Sequence, residues 1–476
     1  MKRLLIFCIV LLSALQQIVV LPGCANIIPP SGGPRDSIPP VLLKAEPADS
    51  SLNFKVNKIT FTFDEFIDVQ NASENMMVSP TPAINPVIDF KLKSVTVKLK
   101  DSLEANTTYT INFGNAIRDF TESNPLKDFT YTFSTGSYLD SLELTGNVIL
   151  AESGKIDSTL IVMLHTKADD SAVVNDKPRY VTKLDSKGKF TFKNLPAKSF
   201  YVYALKDEGG SRKYLSDKQL FAFADKPVNP TEKALPQTLY AYASKSLQAP
   251  ATPPPSGNFT VGRKNAGGAT PDKRLKFTTN LVNGQQDLLA DFSLSFDTPL
   301  RSFDSSGLKF FTDSNFTAVP VYRFLKDSTG HKIILNHQWK ENTLYHIILN
   351  KEFAEDSTGK KLLKDDTLSF KTKKTSDYGS LKIRFKNLDI TKNPVLQFIL
   401  AGETVHRSFP LTGPDFSQTL FLPSEYELRI LYDNNKNGIW DPGQFFGKHL
   451  QPEITRLIER KINVKPGWQN EFDIAL

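Results

Sequence analysis

Lys58-Ile-Thr-Phe-Thr-Phe-Asp64 alternates polar and apolar residues without a break. Successive side chains of a strand point to opposite faces, so Ile59, Phe61 and Phe63 share one face and Lys58, Thr60 and Thr62 the other. Such a segment is a half-buried β-strand. The pattern recurs at Ser94-Val-Thr-Val-Lys-Leu99, Thr108-Tyr-Thr-Ile-Asn-Phe113 and Phe129-Thr-Tyr-Thr-Phe133. Asn, Asp, Gly and Pro separate these runs, and short strands at that spacing predict antiparallel β-sandwiches. Helical periodicity is scarce. Its best instance, Pro452-Glu-Ile-Thr-Arg-Leu-Ile-Glu-Arg460, predicts one short helix in an otherwise all-β chain.

Working outward, the chain repeats itself. Leu103-Glu-Ala-Asn-Thr-Thr-Tyr109 is echoed by Trp339-Lys-Glu-Asn-Thr-Leu-Tyr345, with Asp119 and Asp356 following at similar distances. Opening strands precede both copies (Ile59–Asp64 and Phe292–Asp297), and closing strands end them (Phe129–Thr135 and Leu368–Thr372). Asn-Thr-x-Tyr reads as a turn into a strand, with the ring toward the core and the hydroxyl at its edge. This layout resembles the bacterial Ig-like domain of surface proteins, over residues 41–136 and, in divergent form, over 274–376. A second repeated type lies between and after these copies. Gly188-Lys-Phe-Thr-Phe-Lys-Asn-Leu-Pro196 leads into Phe200-Tyr-Val-Tyr-Ala-Leu-Lys-Asp207, and Thr419-Leu-Phe-Leu-Pro423 leads into Tyr426-Glu-Leu-Arg-Ile-Leu-Tyr-Asp433. Over 140–243 and 378–476 this resembles the transthyretin-like sandwich of the carboxypeptidase-regulatory type. The fold class expected is therefore all-β: tandem antiparallel β-sandwich modules, Ig-like and transthyretin-like.

The N-terminus adds a targeting signal. Lys2 and Arg3 precede the apolar run from Leu4 to Leu12, and Leu21-Pro22-Gly23-Cys24 follows. That order is a secretory signal peptide over 1–23, and its last residues resemble the lipobox of bacterial lipoproteins, which implies acylation (palmitate or a related chain) at Cys24. The cysteine count agrees. Of the two Cys, Cys8 lies in the segment to be removed, so the mature chain carries a single thiol at its first position. No internal disulfide can form, and stability must come from apolar cores. Residues 24–40 and 244–273 are rich in Pro, Gly and Ala and read as a tether and a flexible linker. The linker is expected to be the preferred site of proteolysis, leaving two stable halves.

Charge excludes some functions. Loss of Lys2 and Arg3, with no acidic residue, takes the formal charge from +7 to +5. The Lys and Asp residues are interspersed, with no basic stripe, so no nucleic-acid partner is expected. Beyond the leader, no run is long enough to span a bilayer. The six His (His165, His331, His337, His346, His406, His449) form no metal-peptidase spacing and read as surface or edge-strand residues. Ser186-Lys-Gly-Lys189 reads as a hairpin turn, and no Gly-x-Ser-x-Gly elbow occurs. The three Trp (Trp339, Trp440, Trp468) are assigned to cores or loops rather than to an exposed platform for a glycan.

One loop carries a chemical signature, Asp433-Asn-Asn-Lys-Asn-Gly-Ile-Trp-Asp-Pro-Gly443. Two readings stay open. In the first, Asp433, Asn435, Asn437, the carbonyl of Ile439 and Asp441 supply oxygens to calcium, with Gly438 at the tight turn. Gln444 stands where an EF-hand has its bidentate Glu, so affinity would be on the order of 10⁻⁴–10⁻³ M. In the second, Asn437-Gly438 is simply the turn of a hairpin. No cofactor is required in either. The expected function is non-enzymatic: an envelope lipoprotein held at the outer membrane and acting as a structural and interaction scaffold for an envelope protein or glycan. The competing expectation is a carbohydrate-binding or accessory protein of a polysaccharide-processing hydrolase system.

Overall fold

The computed structural model describes residues 35–230, 235–244, 274–400 and 404–476. Cys8, Cys24, the signal peptide, most of the tether and all but the first residue of the 244–273 stretch lie outside the described residues. Met1–Asp140 and Ser141–Leu476 are two compact units.

In the first unit, the strand Lys58–Phe63 lies between Leu42–Glu46 and Ser94–Lys98, with Val87–Lys91 beyond. A second sheet orders Met77–Ser79, Thr108–Asn112 and Thr130–Ser134, and Ile67–Val69 pairs with Ile117–Asp119. Ile59, Phe61 and Phe63 are fully buried and face Ile111, Phe113 and Phe133 across one core. Burial of each such side chain stabilises the fold by about 1.5–3 kcal/mol. The alternation at 58–63 is thus the sandwich's inner face.

The second unit holds three further sandwiches. Residues 141–244 pack the sheet Lys189–Leu195, Leu142–Leu150, Gln237–Ala241 against Tyr180–Lys183, Ile161–His165, Tyr201–Leu205, Phe221–Phe223. Residues 378–476 repeat that strand order: Asp415–Phe421, Gly379–Lys386, Gln469–Ala475 against Val405–Pro410, Pro394–Ile399, Ser424–Tyr432, Ile454–Val464. Residues 274–377 form a sandwich with its own core around Phe292, Leu294, Tyr345 and Phe370. The fold class is all-β, as the alternation predicts.

In every sandwich a strand or bridge near its start pairs in parallel with one near its end. Ser51 bridges Phe133, and Gln285–Gln286 pairs with Lys371–Thr372. Leu142–Leu150 pairs with Gln237–Ala241, and Gly379–Lys386 with Gln469–Ala475 over seven residue pairs.

The repeated motif has a repeated job. Tyr109 Oη accepts from Glu104 N at 2.9 Å, and Tyr345 Oη accepts from Lys340 N at 3.4 Å. Asp119 caps the backbone N–H groups of Glu122, Ser123 and Asn124, and Asp356 those of Thr358 and Lys360. Burial opposes charge at both carboxylates, but the backbone donors hold their pKa values below the usual range.

Three expectations need correction. Pro452–Arg460 is not helical: Ile454–Val464 is a strand paired with Ser424–Tyr432. Ser186–Lys189 does not turn between paired strands. It connects Tyr180–Lys183 in one sheet to Lys189–Leu195 in the other, with Gly188 at φ 73°. His165 and His346 are buried rather than at the surface.

Candidate functional site

The loop from Asp433 to Glu453 joins two paired strands, Ser424–Tyr432 and Ile454–Val464. The two strands do pair as a hairpin, but Asn437-Gly438 turns within a long loop instead of joining them directly. Its first part closes on itself. Asp433, almost completely buried, accepts from Lys436 N (2.6 Å) and Asn437 N (3.3 Å) through Oδ1 and from Gly438 N (2.7 Å) through Oδ2. Gly438 has φ 80°, a left-handed conformation that only glycine adopts cheaply. Asn435 Oδ1 accepts from Asn437 N (3.0 Å), and Asn437 Oδ1 from Ile439 N (2.8 Å). Both amide nitrogens donate to Asp441 Oδ2, at 2.7 and 2.6 Å.

A residue that the sequence reading missed locks this turn. Glu453 is buried; its Oε1 accepts from Asn434 N (2.6 Å) and its Oε2 from Asp441 N (3.1 Å). Trp440 Nε1 donates to the Glu453 carbonyl at 2.7 Å. Burial raises the Glu453 pKa, with the Asp433 and Asp441 charges adding to it and the two backbone donors opposing. No local spacing marks Glu453, because it reaches the turn only from the start of the returning strand.

The expected calcium donors therefore share one turn, all oxygen in kind, with Glu453 as a third carboxylate. Among the described residues, no group of three or more His, Cys, Asp or Glu side chains is arranged to hold a metal ion. Calcium here would have to draw on the amide oxygens of Asn435 and Asn437, which now cap backbone N–H groups. Ile439 is exposed.

The second part of the loop reaches the 141–244 sandwich. Phe445 is buried, with its ring centroid 5.7 Å from Tyr203, 5.2 Å from Phe221 and 5.0 Å from Phe223. Phe446 stacks on Tyr214 at 5.9 Å. His449 Nε2 lies 2.8 Å from Asp170 Oδ1, and Gln451 Nε2 donates to Phe223 O and Asp225 Oδ1. Gly443 must be small: a Cβ would sit 2.7 Å from Leu450 O and 2.8 Å from Tyr242 Cζ. Nearby, Thr455 N donates to Ala151 O at 2.8 Å, and Lys155 pairs with Glu427, which also holds the buried Arg429. The two sandwiches flanking residues 274–377 in sequence are thus packed together.

Residues 36–135 match the family model of the bacterial Ig-like domain. The first sandwich is such a domain, an assignment that suggests a surface or structural protein. No curated protein matches the chain. Among solved structures, the Bacillus anthracis TIE protein is 10% identical, with 94% of this chain and 75% of that chain covered and a TM-score of 0.16. The major pilin subunit BcpA of Bacillus cereus is 9% identical, covering 70% and 99%, with a TM-score of 0.17. The BSP domain of a biofilm associated protein is 11% identical, covering 84% and 96%, with a TM-score of 0.16. Superpositions this loose carry no functional argument. No described helix is long and apolar enough to cross a membrane.

Proposed function

We propose that this chain is a non-enzymatic envelope lipoprotein, anchored through an acylated Cys24 and acting as a structural and interaction scaffold. The observation that carries the reading is architectural. Four closed sandwich cores account for the described chain, and the first is a bacterial Ig-like domain. Sandwiches with separate cores leave their end loops free for partners, which suits a scaffold for an envelope protein or glycan. The lipobox-like Leu21-Pro22-Gly23-Cys24 and the single mature thiol support the anchor. Cys24→Ser is expected to move the protein from the detergent phase to the aqueous phase, or to stall it as a precursor. Detergent partitioning after fatty-acid labelling reads this, and an unlabelled, water-soluble wild type would refute the anchor.

The Asp433 turn is proposed as a weak calcium site whose first task is structural. Burial first, and then the neighbouring Asp433 and Asp441 charges, raise the Glu453 pKa, and a divalent cation would offset the neighbouring charge.

A further inference from the structure

At one end of the first sandwich four segments meet. Phe120 N donates to Phe66 O (2.9 Å), Ile67 N to Leu92 O (2.8 Å) and Asp64 N to Val41 O (3.1 Å). The incoming chain is laced to the same end, where Arg35 Nη2 donates to Glu122 O (3.1 Å) and Asn124 Nδ2 to Asp36 O (3.1 Å). Each of these segments leaves large apolar side chains in solvent. Ile38, Val41, Phe66, Leu92 and Phe120 are 65, 52, 53, 64 and 68% exposed. Single exposed apolar residues are ordinary, but five on adjoining segments mark an interaction surface.

Two observations select the occupant. The described chain enters at this end, and Cys24 lies eleven residues before Arg35. Eleven residues span at most ~40 Å even when fully extended, so a lipid on Cys24 keeps this end near the bilayer. The surrounding charge gives the second. Asp36, Asp64, Glu65, Asp119 and Glu122 stand at this end, close enough that the other four add to burial in raising Glu65. Arg35, Lys91, Arg118 and Lys93, whose Nζ lies 5.8 Å from the Phe66 ring centroid, offset all but one of them, so the tip has no basic excess. A tip without a basic excess gains nothing from an anionic surface and suits a zwitterionic headgroup layer.

We propose that this tip rests on the surface of a zwitterionic bilayer, with Ile38, Val41, Phe66, Leu92 and Phe120 dipping into the headgroup layer. The lipid supplies attachment and the tip supplies orientation, so the first sandwich stands on the membrane. This inference rests on the anchoring proposed above, and the experiment separates the two.

The mature chain, made without residues 1–23, is coupled through its Cys24 thiol to a maleimide lipid in zwitterionic vesicles. That imposes the anchor whether or not cells acylate Cys24, while flotation of the natively secreted protein reads acylation on its own. Phe120→Trp is compared with Lys100→Trp, which lies beyond the other end of the strand Ser94–Lys98. The wild-type emission of Trp339, Trp440 and Trp468 is subtracted. Phe120→Trp is expected to shift to the blue and to be quenched several-fold more by brominated lipid than Lys100→Trp, with no gain in anionic vesicles. Equal quenching of the two variants overturns the proposal. So does a blue shift that needs no lipid and grows with protein concentration, which would identify a second copy of the chain as the occupant.

Discussion

His165 ends the strand Ile161–His165 with its ring against the edge of Tyr203 at 5.6 Å, and its buried Nε2 has no hydrogen-bond partner among the described residues. Burial pushes its pKa down to about 4, with Lys167 adding to the shift and Asp176 opposing it. The folded pKa thus lies below the unfolded value of about 6.5. Above that value both states are neutral and His165 adds no pH dependence. As the pH falls toward 4, the unfolded chain takes up a proton that the folded chain refuses, and stability is lost. The slope reaches at most about 1.4 kcal/mol per pH unit. Thermal melts from pH 7 to 4 should show a flatter acid decline for His165→Phe than for the wild type. An unchanged profile would mean that His165 protonates freely in the folded protein. The burial of this side chain was hidden in the sequence, because its ring packs on Tyr203, which Phe445 covers from more than two hundred residues away.

The loop from Asp433 to Glu453 shows where local pattern ends as a guide. Asp433, Asn435, Asn437 and Asp441 announced a turn, because closing a chain on its own carboxylate requires those residues at that spacing. Glu453 and the docking of Phe445 gave no comparable signal, since both depend on contacts made after the strands have paired. The misread helix has a related cause. Within Pro452–Arg460, Ile458 joins the core of its own sandwich while Leu457 lies against Gly154 of the 141–244 sandwich, so apolar residues serving two faces of one strand imitate a helical interval. The strands of the first sandwich were legible because their alternation is unbroken. Calcium raised into the millimolar range is expected to increase the melting temperature of the wild type by a small amount and to perturb Trp440 fluorescence. Asp441→Asn should abolish both responses, and their absence in the wild type would leave only a loop closed by its own hydrogen bonds. The affinity should be no better than about 10⁻⁴ M, because the Asn435 and Asn437 amides must turn to present oxygen.

The sequence suggested two separable halves on either side of 244–273. The second compact unit instead contains the sandwiches on both sides of that stretch, joined through Phe445, His449 and Gln451. A protease site introduced within 245–273 should therefore yield two fragments that co-elute on size exclusion. Phe445→Ala, which empties a buried aromatic site at a cost of about 3–5 kcal/mol, should let the cut fragments part. Separation of the cut wild-type fragments would mean that the covalent link, and not the packing, holds them together. The parallel pairing near the start and end of each sandwich has a mechanical consequence. Tension applied through the chain draws the two paired strands in opposite directions along their length, so their hydrogen bonds are loaded together in shear rather than unzipped singly. The seven-pair ladder between Gly379–Lys386 and Gln469–Ala475 should be the stiffest of these clamps. A chain held at one end by a membrane and at the other by a partner would resist rupture through those ladders, and its resistance would be set by unfolding rates under load rather than by equilibrium stability.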